Sequence, residues 1–165
     1  MLRHDSFSVG NRIQGVALVR VVLQRVSSAS VTVDGQVVGQ IGAGLLALVG
    51  IARGDTDAEV RWMADKTAEL RVFEDDQGKM NRSLLDIGGS ALVVSQFTLL
   101  ADCRQGRRPA FTGAADPEVA NGLYTRYADL LAQRGVGVQR GTFAADMQVA
   151  LVNNGPVTLI LERVP

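Results

Sequence analysis

Ala29-Ser30-Val31-Thr32-Val33-Asp34-Gly35-Gln36-Val37-Val38-Gly39-Gln40-Ile41 reads as two extended segments joined by a two-residue turn. β-Branched residues suit a pleated, half-buried surface, and Asp-Gly accepts the positive φ that a tight hairpin turn demands. Upstream, Val19-Arg20-Val21-Val22-Leu23-Gln24-Arg25-Val26 extends the strand pattern. Downstream, Gly42-Ala43-Gly44 is predicted to turn the chain into Leu45-Leu46-Ala47-Leu48-Val49-Gly50-Ile51, a run apolar enough to be buried on both faces. These segments predict a β-meander of about four strands.

The remainder alternates helix and strand signals. Asp55 or Thr56 opens a helix from about Ala58 to Glu69, with Val60, Met63, Ala64 and Thr67 on one stripe. Arg71-Val72-Phe73 reads as a short strand before the turn Asp75-Asp76-Gln77-Gly78. Leu92 to Leu100 reads as a strand pair or a bent strand. Asp116-Pro117 starts a second helix, Asp116 as cap and Pro117 in the first turn, running to about Gln133 before Gly135. Val138–Gly141, Gln148–Val152 and Val157–Val164 are predicted as closing strands. The pattern is α/β: a mostly antiparallel sheet with two helices, one domain over residues 19–165. Residues 1–18 show no clear period and are expected to be a poorly ordered extension or an over-extended gene start.

Composition narrows the function. Seventeen basic residues balance seventeen acidic ones, which argues against a broad electrostatic grip on duplex nucleic acid, and DNA is not an expected partner, but this leaves room for a local basic patch. No apolar run approaches the ~20 residues that span a bilayer, and Met1–Gln14 lacks the apolar core of a secretory signal. The single Cys103 fits a cytoplasmic location. His4, the only histidine, lies in the aperiodic start, so neither a Ser-His-Asp arrangement nor a metal site is expected. Gly42-Ala43-Gly44-Leu45-Leu46-Ala47 matches a dinucleotide-binding pattern, yet a strand-like run follows where that motif requires a helix. A turn accounts for it better.

Two apolar strands carry polar interruptions. In Leu92-Val93-Val94-Ser95-Gln96-Phe97-Thr98-Leu99-Leu100 hydroxyl and amide groups break an apolar run, and a bulged strand is the plain alternative to a site. In Leu151-Val152-Asn153-Asn154-Gly155-Pro156-Val157-Thr158-Leu159-Ile160-Leu161 a Gly-Pro step sits where a ladder donor belongs, and an ordinary trans turn is the plain alternative. Arg104-Gln105-Gly106-Arg107-Arg108-Pro109 is a compact basic loop, equally consistent with a solvated turn and with phosphate contact.

Taken together, Arg20–Val26, Lys79-Met80-Asn81, Ser95-Gln96-Phe97-Thr98-Leu99, Gly106-Arg107-Arg108-Pro109 and Asn154-Gly155-Pro156-Val157-Thr158 resemble the D-aminoacyl-tRNA deacylase family, in order and over essentially Val19 to Val164. The resemblance implies a homodimer of β-barrel-like α/β subunits with the active site at the subunit interface. It implies a cis Gly155-Pro156 bond presented to the partner's pocket, and no cofactor or metal. The substrate would be the acceptor end of a D-aminoacyl-tRNA, with glycyl-tRNA as a second substrate. Two carbonyl oxygens facing one side would capture the substrate ammonium. An L side chain would then be driven into the Gly155-Pro156 backbone, while glycine has nothing to clash. Asn154, Val157 and Thr158 would flank that filter.

For the chemistry, Ser95, Gln96, Phe97 and Thr98 are the candidate catalytic set. Backbone amides at Phe97 and Thr98 would receive the oxyanion, each worth ~2.7–4 kcal/mol if well placed. Thr98, a positioned water and the ribose 2′-hydroxyl all remain candidate nucleophiles. The reading favours the last two, because no base stands out to activate Thr98. Gln96 would order the adenosine or the ester, Phe97 would wall the pocket, Met80 and Asn81 would touch the terminal nucleotide, and Arg107 and Arg108 would meet acceptor-stem phosphates. A hydrolase of free D-amino acid esters and a non-catalytic, chirality-selective binding module are the rival readings.

Overall fold

The computed structural model describes residues 19–163, so the expectation for residues 1–18 lies outside the described residues. The elements are β1 (Val19–Val33), β2 (Gln36–Ile41), β3 (Gly44–Gly50), α1 (Asp57–Glu69), β4 (Phe73–Glu74), β5 (Met80–Arg82), β6 (Ser90–Ser95), a 3-10 turn (Phe97–Leu100), α2 (Pro117–Gln133), β7 (Gly137–Arg140) and β8 (Gln148–Arg163). The class is α/β with two helices, as the alternation of patterns predicts.

β1 is the axis of the sheet. Asp34 and Gly35 both adopt positive φ, 49° and 75°, and return the chain as β2 against Ala29–Val33. The chain does not then reverse at Gly42-Ala43-Gly44. β3 runs on antiparallel along Arg20–Val26, so β2 and β3 follow one another along β1 and the expected meander is a long, bent hairpin. The glycines serve close approach instead: a Cβ on Gly44 would stand 1.8 Å from the Ser90 carbonyl oxygen. No helix follows, and the dinucleotide pattern finds no support. β6 joins β3, and β7 joins β6, both parallel, so a mostly antiparallel sheet ends in two parallel pairings.

Two further differences follow from hydrogen-bond supply. The run from Leu92 to Leu100 is not a bent strand; β6 stops at Ser95 because its partner β3 stops at Gly50. One more ladder bond forms, Gln96 N–H to Val49 O at 2.8 Å. The chain then satisfies itself locally, Leu99 N–H to Gln96 O at 3.2 Å and Ala101 N–H to Thr98 O at 3.1 Å. The two predicted C-terminal strands are one strand, β8, with both halves paired to β1.

The sheet sorts its side chains between two cores. Leu45, Ala47, Val49, Ala91 and Val93 face the helices, with Val60, Met63, Tyr127 and Leu131 opposite. Their alternating neighbours Leu46, Leu92 and Val94 join Val26, Ala29, Val31 and Ile41 inside the curl of the sheet. That curl brings β2 over β7: a Cβ on Gly39 would lie 2.7 Å from the Arg140 carbonyl oxygen. The result is barrel-like. Thr56 and Glu59 form a capping box at α1, with Thr56 N–H donating to Glu59 at 2.6 Å, and Pro117 opens α2. The buried Thr67 and Tyr127 hydroxyls meet at 2.7 Å and tie the two helices.

Candidate active site

The end of β6 and the turn after it form one wall of a cavity of about 410 Å³. Ser95, Gln96 and Phe97 line it, together with Phe143, Asp146 and Met147 from the segment before β8, Val149 at the start of β8, Ile51 and Pro117. Its size and largely apolar lining with a few polar groups suit a nucleoside-sized ligand. The Phe97 and Thr98 amides open the 3-10 turn, where N–H groups lack internal partners, and neither donates to a protein group among the described residues. They are therefore available to an oxyanion.

Thr98 is not set up as an activated nucleophile. Its hydroxyl accepts a hydrogen bond from the Gln96 side-chain amide, and no carboxylate, amine or imidazole bonds to it among the described residues. That bond fixes the Gln96 side chain at the cavity wall. Thr98→Ala is accordingly expected to retain the single-turnover rate within about tenfold, measured on a preformed aminoacyl ester. A loss above the ~10²-fold typical of an essential catalytic group would make Thr98 the nucleophile.

Gly155 and Pro156 lie elsewhere. Along β8, Thr158 pairs with Gln24 and Asn153 pairs with Val26, so Arg25 alone faces the four residues Asn154 to Val157. The peptide bond between Gly155 and Pro156 is cis, and Gly155 holds φ +136°. Buried Arg25 holds the excursion in place. Its Nε donates to the Asn154 carbonyl at 2.9 Å and its Nη1 to the Val72 carbonyl at 2.8 Å, while Nη2 lies 3.8 Å from the Glu74 carboxylate. Asn153 closes the loop from within: its Oδ1 accepts the Val157 N–H and its Nδ2 donates to the Thr158 hydroxyl, both at 3.0 Å.

The length of β8 separates these parts within one chain. Val149, near the start of β8, lines the cavity, and Gly155 lies six residues further along, about 20 Å of extended strand. None of Asn154 to Thr158 lines the cavity. Met80 and Asn81 belong with the Gly-Pro side: Met80 pairs with Glu74, the neighbour of Arg25. Met80 is exposed, whereas the Asn81 amide is already donated to Asp75 at 2.9 Å. Asp75 is held below the usual carboxylate range, chiefly by that bond. Arg107 and Arg108 sit exposed in the loop beyond the 3-10 turn. Arg104, beside them, is paired with Asp102, whose carboxyl it lowers to about 2.

Residues 22–162 match the family model described as D-Tyr-tRNA(Tyr) deacylase. A protein called D-aminoacyl-tRNA deacylase from Roseiflexus castenholzii is 60% identical over 144 residues, covering 87% of this chain and 92% of the relative. One so called from Exiguobacterium sibiricum is 60% identical over 145 residues, covering 88% and 100%. The solved structure of the c-Myc DNA Unwinding Element Binding Protein superposes with TM-score 0.83 at 40% identity, covering 88% of this chain and 99% of that one. A probable eukaryotic D-amino acid tRNA deacylase shares the fold, with TM-score 0.76 at 20% identity over 88% of this chain and 100% of that one. The family match makes this barrel-like α/β chain a hydrolase. The chain belongs to the D-Tyr-tRNA(Tyr) deacylase family and is an enzyme that removes amino acids from tRNA.

Sequence reasoning missed Arg25, Asn153 and the Phe143–Met147 wall. Arg25 reads as one cation in an apolar strand, and only the register of β8 reveals what it faces. Phe143, Asp146 and Met147 fall in a stretch with no strand or helix period, the ordinary appearance of a site loop.

Proposed function

We propose that the protein hydrolyses the ester bond of D-aminoacyl-tRNA, and of glycyl-tRNA mischarged on non-cognate tRNA, as a homodimer. In this reading each subunit's Gly155-Pro156 segment closes the partner's cavity and turns away L substrates. The observation that carries the reading is that no residue from Asn154 to Thr158 lines the cavity of its own chain. Two features support the pairing. β8 has one unpaired edge among the described residues, and its outward face leaves Val152 56% and Ile160 64% exposed, an apolar surface suited to a second copy.

Within the cavity the terminal adenosine lies between Phe97 and the Phe143–Met147 wall. The ester carbonyl faces the Phe97 and Thr98 amides. An ordered water attacks the ester carbonyl, the bond to the 3′-oxygen breaks, and the neighbouring ribose 2′-hydroxyl relays the water's proton to that leaving oxygen, because an aminoacyl ester needs orientation more than an activated side chain. Arg107 and Arg108, in no ion pair among the described residues, meet acceptor-stem phosphates. Duplex DNA is not a proposed partner, since the chain's formal charge is zero. No helix among the described residues is long and apolar enough to cross a membrane, and the proposed site of action is the cytoplasm.

Deacylation of D-tyrosyl-, L-tyrosyl- and glycyl-tRNA side by side tests this reading, with the first and third cleaved and the second spared. Equal cleavage of both tyrosine forms would overturn it. Faster turnover of free D-tyrosine ethyl ester than of the tRNA substrate would favour the small-ester hydrolase, and binding without turnover would favour the binding module. Removing both loop charges, Arg107→Ala with Arg108→Ala, should flatten the dependence of KM on salt by about two counterions in log–log slope.

A further inference from the structure

We propose that Phe111 is the outer half of an aromatic shelf that stacks the nucleobase preceding the esterified adenosine. The inference rests on the deacylase reading and adds to it a residue that grips the RNA outside the cavity. Phe97 lines the cavity on one side and on the other meets Phe111 edge to face, ring centres 5.1 Å apart at 67°. Both rings remain open to solvent, Phe97 55% and Phe111 37% exposed, although each is large enough to repay burial.

The loop between them is built to hold still. Asp102 and Ala110 exchange backbone bonds of 2.7 and 2.9 Å that close it at its neck, immediately before Phe111. On the far side Arg53 donates its backbone N–H to Gly113 O and its Nε to Thr112 O, both at 2.9 Å. Asp102 neutralises Arg104 through contacts of 2.9 and 2.8 Å, which leaves Arg107 and Arg108 as the loop's net charge. A firm aromatic face at the foot of a loop carrying two guanidinium groups that form no ion pair among the described residues is the chemistry of a single-stranded nucleic-acid track. Bases stack on the rings and phosphates follow the charge, without demanding a sequence. The order cavity, Phe97, Phe111, basic loop gives that track a direction, from the terminal adenosine outward along the unpaired end of the tRNA.

Phe111→Leu and Phe111→Trp test the shelf on two substrates, D-tyrosyl-tRNA and 3′-O-D-tyrosyl-adenosine, which has no preceding base. Phe111→Leu should raise KM for the tRNA about tenfold, the scale of one lost base stack, with kcat held and KM for the adenosine ester unmoved. Phe111→Trp should match the wild type. An abasic nucleotide at the penultimate position should raise the wild-type KM by a similar factor and change Phe111→Leu no further. If Phe111→Leu shifts both substrates alike, or neither, the shelf is wrong while deacylation by the wild type stands. If the wild type cleaves neither substrate, the deacylase reading fails and takes the shelf with it.

Discussion

Gly155→Ala is expected to cost the enzyme about two orders of magnitude in kcat/KM for D-tyrosyl-tRNA, the scale of loss from displacing a positioning group by an ångström. Two independent constraints act at this residue. Its φ of +136° lies where a Cβ is unfavourable, and that Cβ would stand 2.8 Å from Val157 Cγ2, 3.0 Å from the Val157 nitrogen and 3.0 Å from Arg25 Nη2. The Val157 nitrogen is main chain and is tied to Asn153, so it has little room to give. Relief must come from shifting the excursion or expelling the guanidinium, and either displaces the surface proposed to meet the substrate. The loss of global stability should be only about 1–2 kcal/mol, because both flanks of β8 keep their pairing with β1. Parallel measurement of thermal unfolding and kcat/KM checks this. An active Gly155→Ala enzyme would show that the excursion is not part of the site.

The second large effect is expected at Arg25. Arg25→Met keeps the aliphatic stem but removes the donors to two carbonyl oxygens, Asn154 and Val72, in a place where the side chain is buried. Each acceptor left without a partner costs about 1–3 kcal/mol, so a total near 3 kcal/mol is expected. For a chain of this length that is a fall of ~6–12 °C in Tm. Activity should fall further than stability explains, since Arg25 also links the excursion to the β4–β5 hairpin through Glu74. Arg25→Lys should recover part of the stability but little of the activity, because one ammonium cannot reproduce the two-directional fork. Wild-type kcat/KM in Arg25→Met at a temperature where it remains folded would refute the positioning role.

The contrast between Gly155 and Arg25 shows what a sequence discloses. A Gly-Pro step inside an apolar run is locally anomalous, so it stands out without any knowledge of neighbours. The same holds for Ser95-Gln96-Phe97-Thr98 and for Asp34-Gly35, whose turn chemistry is written in two residues. Arg25 breaks no local rule. Its role exists only because Gln24 meets Thr158 and Val26 meets Asn153, a register set by contacts more than a hundred residues apart. The misjudged turn at Gly42-Ala43-Gly44 has a similar cause. Glycine signals freedom from a Cβ, and here that freedom admits the Ser90 carbonyl rather than a chain reversal. The 3-10 turn at Phe97 was hidden because an apolar run cannot announce that its partner strand has ended.

The one-against-four register at Arg25 has a bearing on how sharply mirror images can be told apart. A hinged flap would wander with temperature and blur the distinction between a hydrogen and a methyl group. A span moored at both ends to the same stiff neighbour, with a cation wedged beneath it, moves only as far as the sheet moves. With the excursion as the proposed chiral filter, fidelity is tied to sheet rigidity, and warming is expected to erode stereoselectivity only when the barrel itself begins to loosen.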